Sequence, residues 1–139
     1  MNKQKGFTII ELIVVIAIIA VLAAIVLVNV TQYIAKGRDS AIKGDMSTIM
    51  ANSAVYFDEQ TPTTYVGYKL DNKYLNPSGA ATDAGGTGLD AAESASAFCA
   101  TITLNDGSFW CVDSTGYAGV PTAVDTCDST AGSENYTCK

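Results

Sequence analysis

Histidine is absent from this 139-residue chain. That removes the side chain most used as a general base and metal ligand near neutral pH, and with it any Ser-His-Asp or Cys-His nucleophile arrangement. Bases are few, eight against fourteen acids. From Leu75 onward only Lys139 opposes Asp83, Asp90, Glu93, Asp106, Asp113, Asp125, Asp128 and Glu134. So acidic a stretch does not suit binding to nucleic acid or to an anionic membrane face, and no nucleic-acid partner is expected. No C-x-x-C spacing is present and no Gly-rich phosphate loop follows a strand. Asp58-Glu59 is an acidic pair without a companion base and reads as solvated surface. The expectation is a protein without enzymatic activity, cofactor or metal. Proline occurs only at Pro62, Pro77 and Pro121, so nothing breaks a helix over residues 7–57.

Against these absences stands one long apolar run. Residues 7–28 read FTIIELIVVIAIIAVLAAIVLV, enough for a membrane-crossing helix, which takes about 20 apolar residues. The run holds a single carboxylate, Glu11. A charge inside a membrane segment is costly and marks a functional residue with a partner. Ahead of the run, MNKQKG carries Lys3 and Lys5 and no acid, a cationic leader that would stay in the cytoplasm. Removing it leaves six bases against fourteen acids, a balance of −8. An ordinary secretory signal fits poorly, because its apolar core is about 7–15 residues with a small-residue cleavage site after it. A plain membrane anchor explains the lysines and the helix but gives Glu11 no purpose.

The stretch KGFTIIELIVVIAIIAVLAA resembles the class III leader of type IV prepilins and the related pseudopilins of type II secretion systems. The resemblance implies cleavage between Gly6 and Phe7 by a membrane aspartyl prepilin peptidase and N-methylation of Phe7 by the same enzyme. It implies too that the Phe7 amine of one subunit pairs with Glu11 of a neighbour during polymerisation, with a cytoplasmic ATPase and a platform protein driving assembly. It covers roughly residues 1–57. One departure is Val28, where better-known pilins carry a helix-breaking proline; here the helix is expected to be more continuous.

Beyond Asn29 the pattern turns amphipathic. At about 100° per residue, Ala35, Ile42, Met46, Ile49, Met50, Tyr56 and Phe57 share one face. Lys36, Lys43, Ser47, Ala51 and Asn52 lie on the other, with Arg38 and Asp39 at the edges. Gly37 and Gly44 weaken this section by roughly 1 kcal/mol each relative to alanine. Tyr33, Tyr56 and Phe57 at helical spacing are explained by stalk-to-head packing rather than by conduction along a filament. Residues 58–62 end the helix. Residues 65–70 suit a strand or an ordered loop, Asp71-Asn72 a turn, and residues 76–90 a loop rich in small and breaking residues. Asp90 and Glu93 have N-cap and N3 spacing for a short helix to Ala97.

Residues 99–104 and 108–112 alternate in polarity around Asn105-Asp106-Gly107, a hairpin signal. With Asp106-Gly107 as a two-residue loop, Leu104 faces Phe109, Ile102 faces Cys111 and Cys99 faces Ser114. That register points Cys99 and Cys111 to opposite sides of the sheet. Cys99, Cys111, Cys127 and Cys138 are an even number in the last third, which favours two disulfides and an oxidising compartment outside the cytoplasm. Three connectivities are open. Short loops favour Cys99–Cys111 with Cys127–Cys138, although parity argues against the first unless Cys99 precedes the strand. Asp125 and Asp128 are a weak calcium signal, and Asn135-Tyr136-Thr137 matches a glycosylation sequon.

The resulting fold class is α+β. A long N-terminal helix, half transmembrane and half amphipathic, packs on a small antiparallel sheet in a head with a disulfide-closed C-terminal region. The divisions are a removed leader at 1–6, a membrane and filament-core helix at 7–28, an amphipathic helix at 29–57 and an extracellular head at 58–139. By resemblance the chain is expected to be a structural subunit of a type IV pilus, a helical homopolymer serving adhesion, motility or DNA uptake. It would be held in the cytoplasmic membrane before assembly and displayed at the cell surface after it. A pseudopilin of type II secretion is the alternative, and a membrane-anchored binding domain that never polymerises is the third.

Overall fold

A computed structural model describes residues 6–121, 127–128 and 135–138. Lys3, Lys5, Asp125, Lys139 and the Asn135 side chain of the sequon lie outside the described parts, as does the side chain of Asp128. The chain divides into two units, Met1–Ile34 and Ala35–Lys139. Helix α1 runs Ile9–Glu59 and belongs to both. No proline interrupts it.

In the first unit every described side chain from Gly6 to Ile34 is exposed. Among them Phe7 is 82% exposed and Ile9 81%. An apolar surface bare on all sides demands lipid or other helices around it, and this stretch is long and apolar enough to cross a membrane.

In the second unit α1 becomes one-sided. Asp39, Ile42, Met46, Ile49, Ser53 and Tyr56 are buried at three- and four-residue intervals. Ala35, Met50 and Phe57, expected on the buried face, are half-buried. Lys43 and Asn52, expected on the polar face, are half-buried too. The Lys43 ammonium sits 4.7 Å above the Trp110 ring, and Asn52 has a task described below.

After α1 the chain makes a 3-10 turn at Tyr68–Leu70 and a second helix, α2, at Asn72–Asp83. The expected turn at Asp71-Asn72 and loop from 76 are therefore corrected. Asp71 caps α2 by accepting from the Lys73 amide at 2.7 Å. Pro77 lies inside the helix and lacks the N–H that would bond the carbonyl of Lys73, four residues back. Asn52 of α1 supplies the missing donor, its Nδ2 reaching that carbonyl at 2.7 Å.

Four antiparallel strands form the sheet in the order β1-β2-β3-β4: β1 Thr87–Glu93, β2 Phe98–Thr103, β3 Phe109–Asp113 and β4 Ala118–Gly119. Two short strands, β5 Cys127–Asp128 and β6 Asn135–Tyr136, pair separately. Of the helix expected at 90–97, residues 90–93 are the end of strand β1 and residues 94–97 turn the chain into β2, with the Ser94 amide donating to the Ala97 carbonyl at 2.8 Å. The Glu93 carboxylate, instead of capping a helix, accepts from the amides of Gly67 and Lys69, each at 2.9 Å. Residues 65–70 are thereby settled as an ordered turn rather than a strand.

One face of the sheet packs on α1: Phe98, Ala100, Ile102, Leu104 and Val112 join Ile42, Met46 and Ile49 in the core. Tyr68 sits among the aromatic residues, 4.9 Å from Phe98 and 5.3 Å from Tyr56 between ring centres. Its hydroxyl donates to the Ile49 carbonyl at 2.6 Å. Burial raises the pKa of both Tyr68 and Tyr74, the latter to about 12, so both phenols stay neutral.

Candidate assembly site

Glu11 lies in the first turn of α1. Thr8, the residue before the helix, donates to Glu11 Oε2 from both its amide and its hydroxyl, each at 2.8 Å. The Glu11 amide returns a bond of 3.3 Å to the Thr8 hydroxyl. This is a capping box, Thr-x-x-Glu, satisfying donors that a helix start leaves open. It explains why the helix begins at Ile9 rather than at the expected residue 7, leaving Gly6 and Phe7 in non-helical chain. The apolar surface behind it has a shallow depression at Ala17, edged by Val14, Ile18, Val21 and Leu22.

In the head, the disulfides are Cys99–Cys127 and Cys111–Cys138, with Cα separations of 5.8 and 5.7 Å. The expected Cys99–Cys111 with Cys127–Cys138 pairing is corrected: the short-loop argument behind it fails, and the hairpin register differs by one residue as well. Observed partners are Thr103 with Phe109, Thr101 with Cys111 and Cys99 with Asp113. The loop has three residues, Asn105 to Gly107, closed by a 2.8 Å bond from the Leu104 amide to the Ser108 carbonyl. Gly107 takes a φ of 83°, the left-handed position that such a loop needs.

In this register Cys99 and Cys111 share a face as diagonal neighbours. Diagonal Cα atoms lie about 7–8 Å apart, and a disulfide bridges at most about 6.8 Å. Each cysteine instead bonds one of the later pair, Cys99 to Cys127 and Cys111 to Cys138, on the face of the sheet that α1 leaves uncovered.

Two carboxylates that sequence reasoning passed over stabilise the head. Asp39, placed at the edge of the stripe, is 5% exposed. It accepts from the Asn105 amide at 2.7 Å and the Asn105 side chain at 2.9 Å. Asp113, noted only for its charge, is 1% exposed. It accepts from the Thr115 hydroxyl at 2.6 Å and from the amides of Thr115, Tyr117 and Cys138. The spacing of Asp39 three residues before Ile42 and seven before Met46, on the buried stripe, was the available signal for Asp39. For Asp113, the Asp-Ser-Thr-Gly run starting an Asx turn was the signal.

Burial works against ionisation of Asp113. The Thr115 hydroxyl and the three amides outweigh it and hold the carboxyl below the usual carboxylate range. Because the folded value is depressed, its stabilisation is complete above the unfolded value of about 4 and is lost as pH falls through the folded value. The detergent-solubilised subunit should therefore lose more unfolding temperature between pH 5 and pH 2 than an Asp113→Asn variant. Equal slopes would remove Asp113 from the explanation.

The chain's likeness to known proteins now has a structural setting. Residues 1–27 match the family described as the prokaryotic N-terminal methylation motif. The type IV major alpha-pilin and fimbrial protein Q of Moraxella bovis are each 46% identical over 63 residues, 45% of this chain and 40% of theirs. The chain thus spans well under half the length of those two relatives. The type IV wide pilus major component PilA4 of Thermus thermophilus is 32% identical over 118 residues, 79% of this chain and 81% of the relative. No solved structure matches the chain.

A methylation motif opening a bare apolar helix, joined to a small disulfide-closed sheet, defines a pilin-like class of protein. With 32% identity across four-fifths of a pilus component, this chain belongs to the type IV pilin family.

Proposed function

We propose that this chain is a structural subunit of a type IV pilus, made as a membrane-held precursor and polymerised into a surface filament. The observation that carries the reading is the similarity to a wide-pilus major component over four-fifths of the chain, which agrees with a matching methylation motif and with an α1 that is bare on every side through its first part. Prepilin peptidase cuts between Gly6 and Phe7, and Phe7 is N-methylated. Residues 7–28 lie in the bilayer first and in the filament core afterwards, while residues 58–139 form the external head. The ATPase and platform protein lift the subunit out of the membrane.

The freed Phe7 amine and a neighbour's Glu11 each face an apolar surrounding, where an unpaired charge is heavily penalised and a matched pair far less so. Pairing therefore sets the axial register. Leaving lipid for other helices changes the apolar environment little, so cohesion comes from close packing at Ala17, Ala20, Ala23 and Ala24. The role is structural, without catalysis.

Gly6→Leu tests the processing step. The precursor should remain uncut in the membrane fraction by mass, with no sheared filaments. Normal removal of residues 1–6 in this variant would overturn the assigned cleavage site.

A further inference from the structure

Both Thr8 donors converge on one oxygen of Glu11, Oε2, while Oε1 takes no hydrogen bond among the described residues. We infer that Thr8 is the positioning residue for the assembly contact: it fixes the Glu11 side chain through Oε2 and leaves Oε1 open for the incoming amine of a second copy. The inference rests on the proposed pairing of Phe7 with Glu11.

A glutamate on an exposed helix surface samples several rotamers, and ordering it at the moment of docking costs side-chain entropy. Two donors from the residue three positions back remove much of that freedom beforehand. Preorganisation of this kind raises affinity by lowering what must be ordered on binding. The held oxygen is meanwhile satisfied, so only Oε1 waits without a donor before a partner arrives. A carboxylate has about four acceptor sites, so Thr8 can keep its bonds while the amine adds to Oε1.

Capping alone and positioning make different demands on residue 8. Glycine serves as an N-cap nearly as well as threonine, but it has no hydroxyl to donate. Serine retains both functions. Four variants should therefore be expressed in cells deleted for the native subunit: Thr8→Ser, Thr8→Gly, Thr8→Val and Glu11→Gln. Mature chain and sheared filament are then measured for each by mass and quantitative immunoblot.

All four should be cut after Gly6. Thr8→Ser should assemble as the native chain does. Thr8→Gly and Thr8→Val should give about tenfold less filament per mature subunit, the effect of losing one charge-assisted hydrogen bond. Glu11→Gln should give less still. Native yield from Thr8→Gly, with Glu11→Gln defective, would overturn the positioning role while leaving the Phe7–Glu11 pairing intact. Native yield from Glu11→Gln would overturn that pairing, and the inference with it.

Discussion

Cells carrying only the Glu11→Ala subunit should insert it, cut it after Gly6, and then build few filaments or none. Cleavage should survive because the proposed scissile bond, Gly6–Phe7, lies in non-helical chain ahead of α1, and because the variant keeps the apolar run and the proposed basic leader. Assembly fails because each incoming Phe7 amine would enter an apolar bundle without a counter-charge. An unpaired charge left by deleting one partner of a buried pair is strongly penalised, which here sets an expected drop of about a hundredfold or more in sheared filament. Glu11 is also the N3 member of the capping box, so its loss frays the first turn. That part is small beside the missing charge, since capping contributions seldom exceed about 2 kcal/mol. Quantitative immunoblotting of sheared and cell-bound fractions checks the result. Abundant normal filaments would sink the idea that this carboxylate sets the register.

The second large effect belongs to the head. Replacing Cys111 and Cys138 together by serine removes one of two bridges that hold the C-terminal segment on the sheet. A link closing 27 residues stabilises by about 3–4 kcal/mol through the entropy of the unfolded chain. The same change loosens the Cys138 amide from Asp113, where it donates at 2.9 Å, so the loss exceeds the loop term alone. Denaturant unfolding of the detergent-solubilised subunit should show a decrease of at least about 3 kcal/mol. A loss below about 1 kcal/mol would mean that the remaining Cys99–Cys127 bridge already confines the segment. Peptide mapping without reduction gives an independent check on connectivity: fragments should join Cys99 to Cys127 and Cys111 to Cys138.

The N-terminus was legible in the amino-acid sequence because its constraints are local. An apolar run of membrane length and the methylation motif that opens it act without reference to distant residues. The α1 stripe was legible for the same reason, through periodicity alone. Where reading failed, a distant group decided the outcome. Pro77 argues against a helix until Asn52 satisfies the carbonyl that proline leaves unpaired. Asp90 and Glu93 have helix-capping spacing, yet pairing with β2 and the amides of Gly67 and Lys69 claim that segment for a strand.

The hairpin shows this most plainly. Asn105-Asp106-Gly107 reads as the turn, but counting the register from a two-residue Asp106-Gly107 loop sets Asn105 opposite Ser108, whereas the loop has three residues. Asp39, 66 residues earlier, takes the Asn105 amide and side chain and holds that residue in the loop. One residue of register then moves Cys99 and Cys111 onto a common face. The cysteine count was readable and the pairing was not, because a common face alone does not bring Cys99 and Cys111 within bonding distance and the pairing depends on where Cys127 and Cys138 lie.

The most direct test is to shear intact cells and weigh the protein released. A type IV pilus subunit should dominate the sheared material as a chain of residues 7–139 carrying one added methyl group and no free thiol. An uncut chain that stays in the membrane, with nothing of its mass in the sheared fraction, would contradict the assignment.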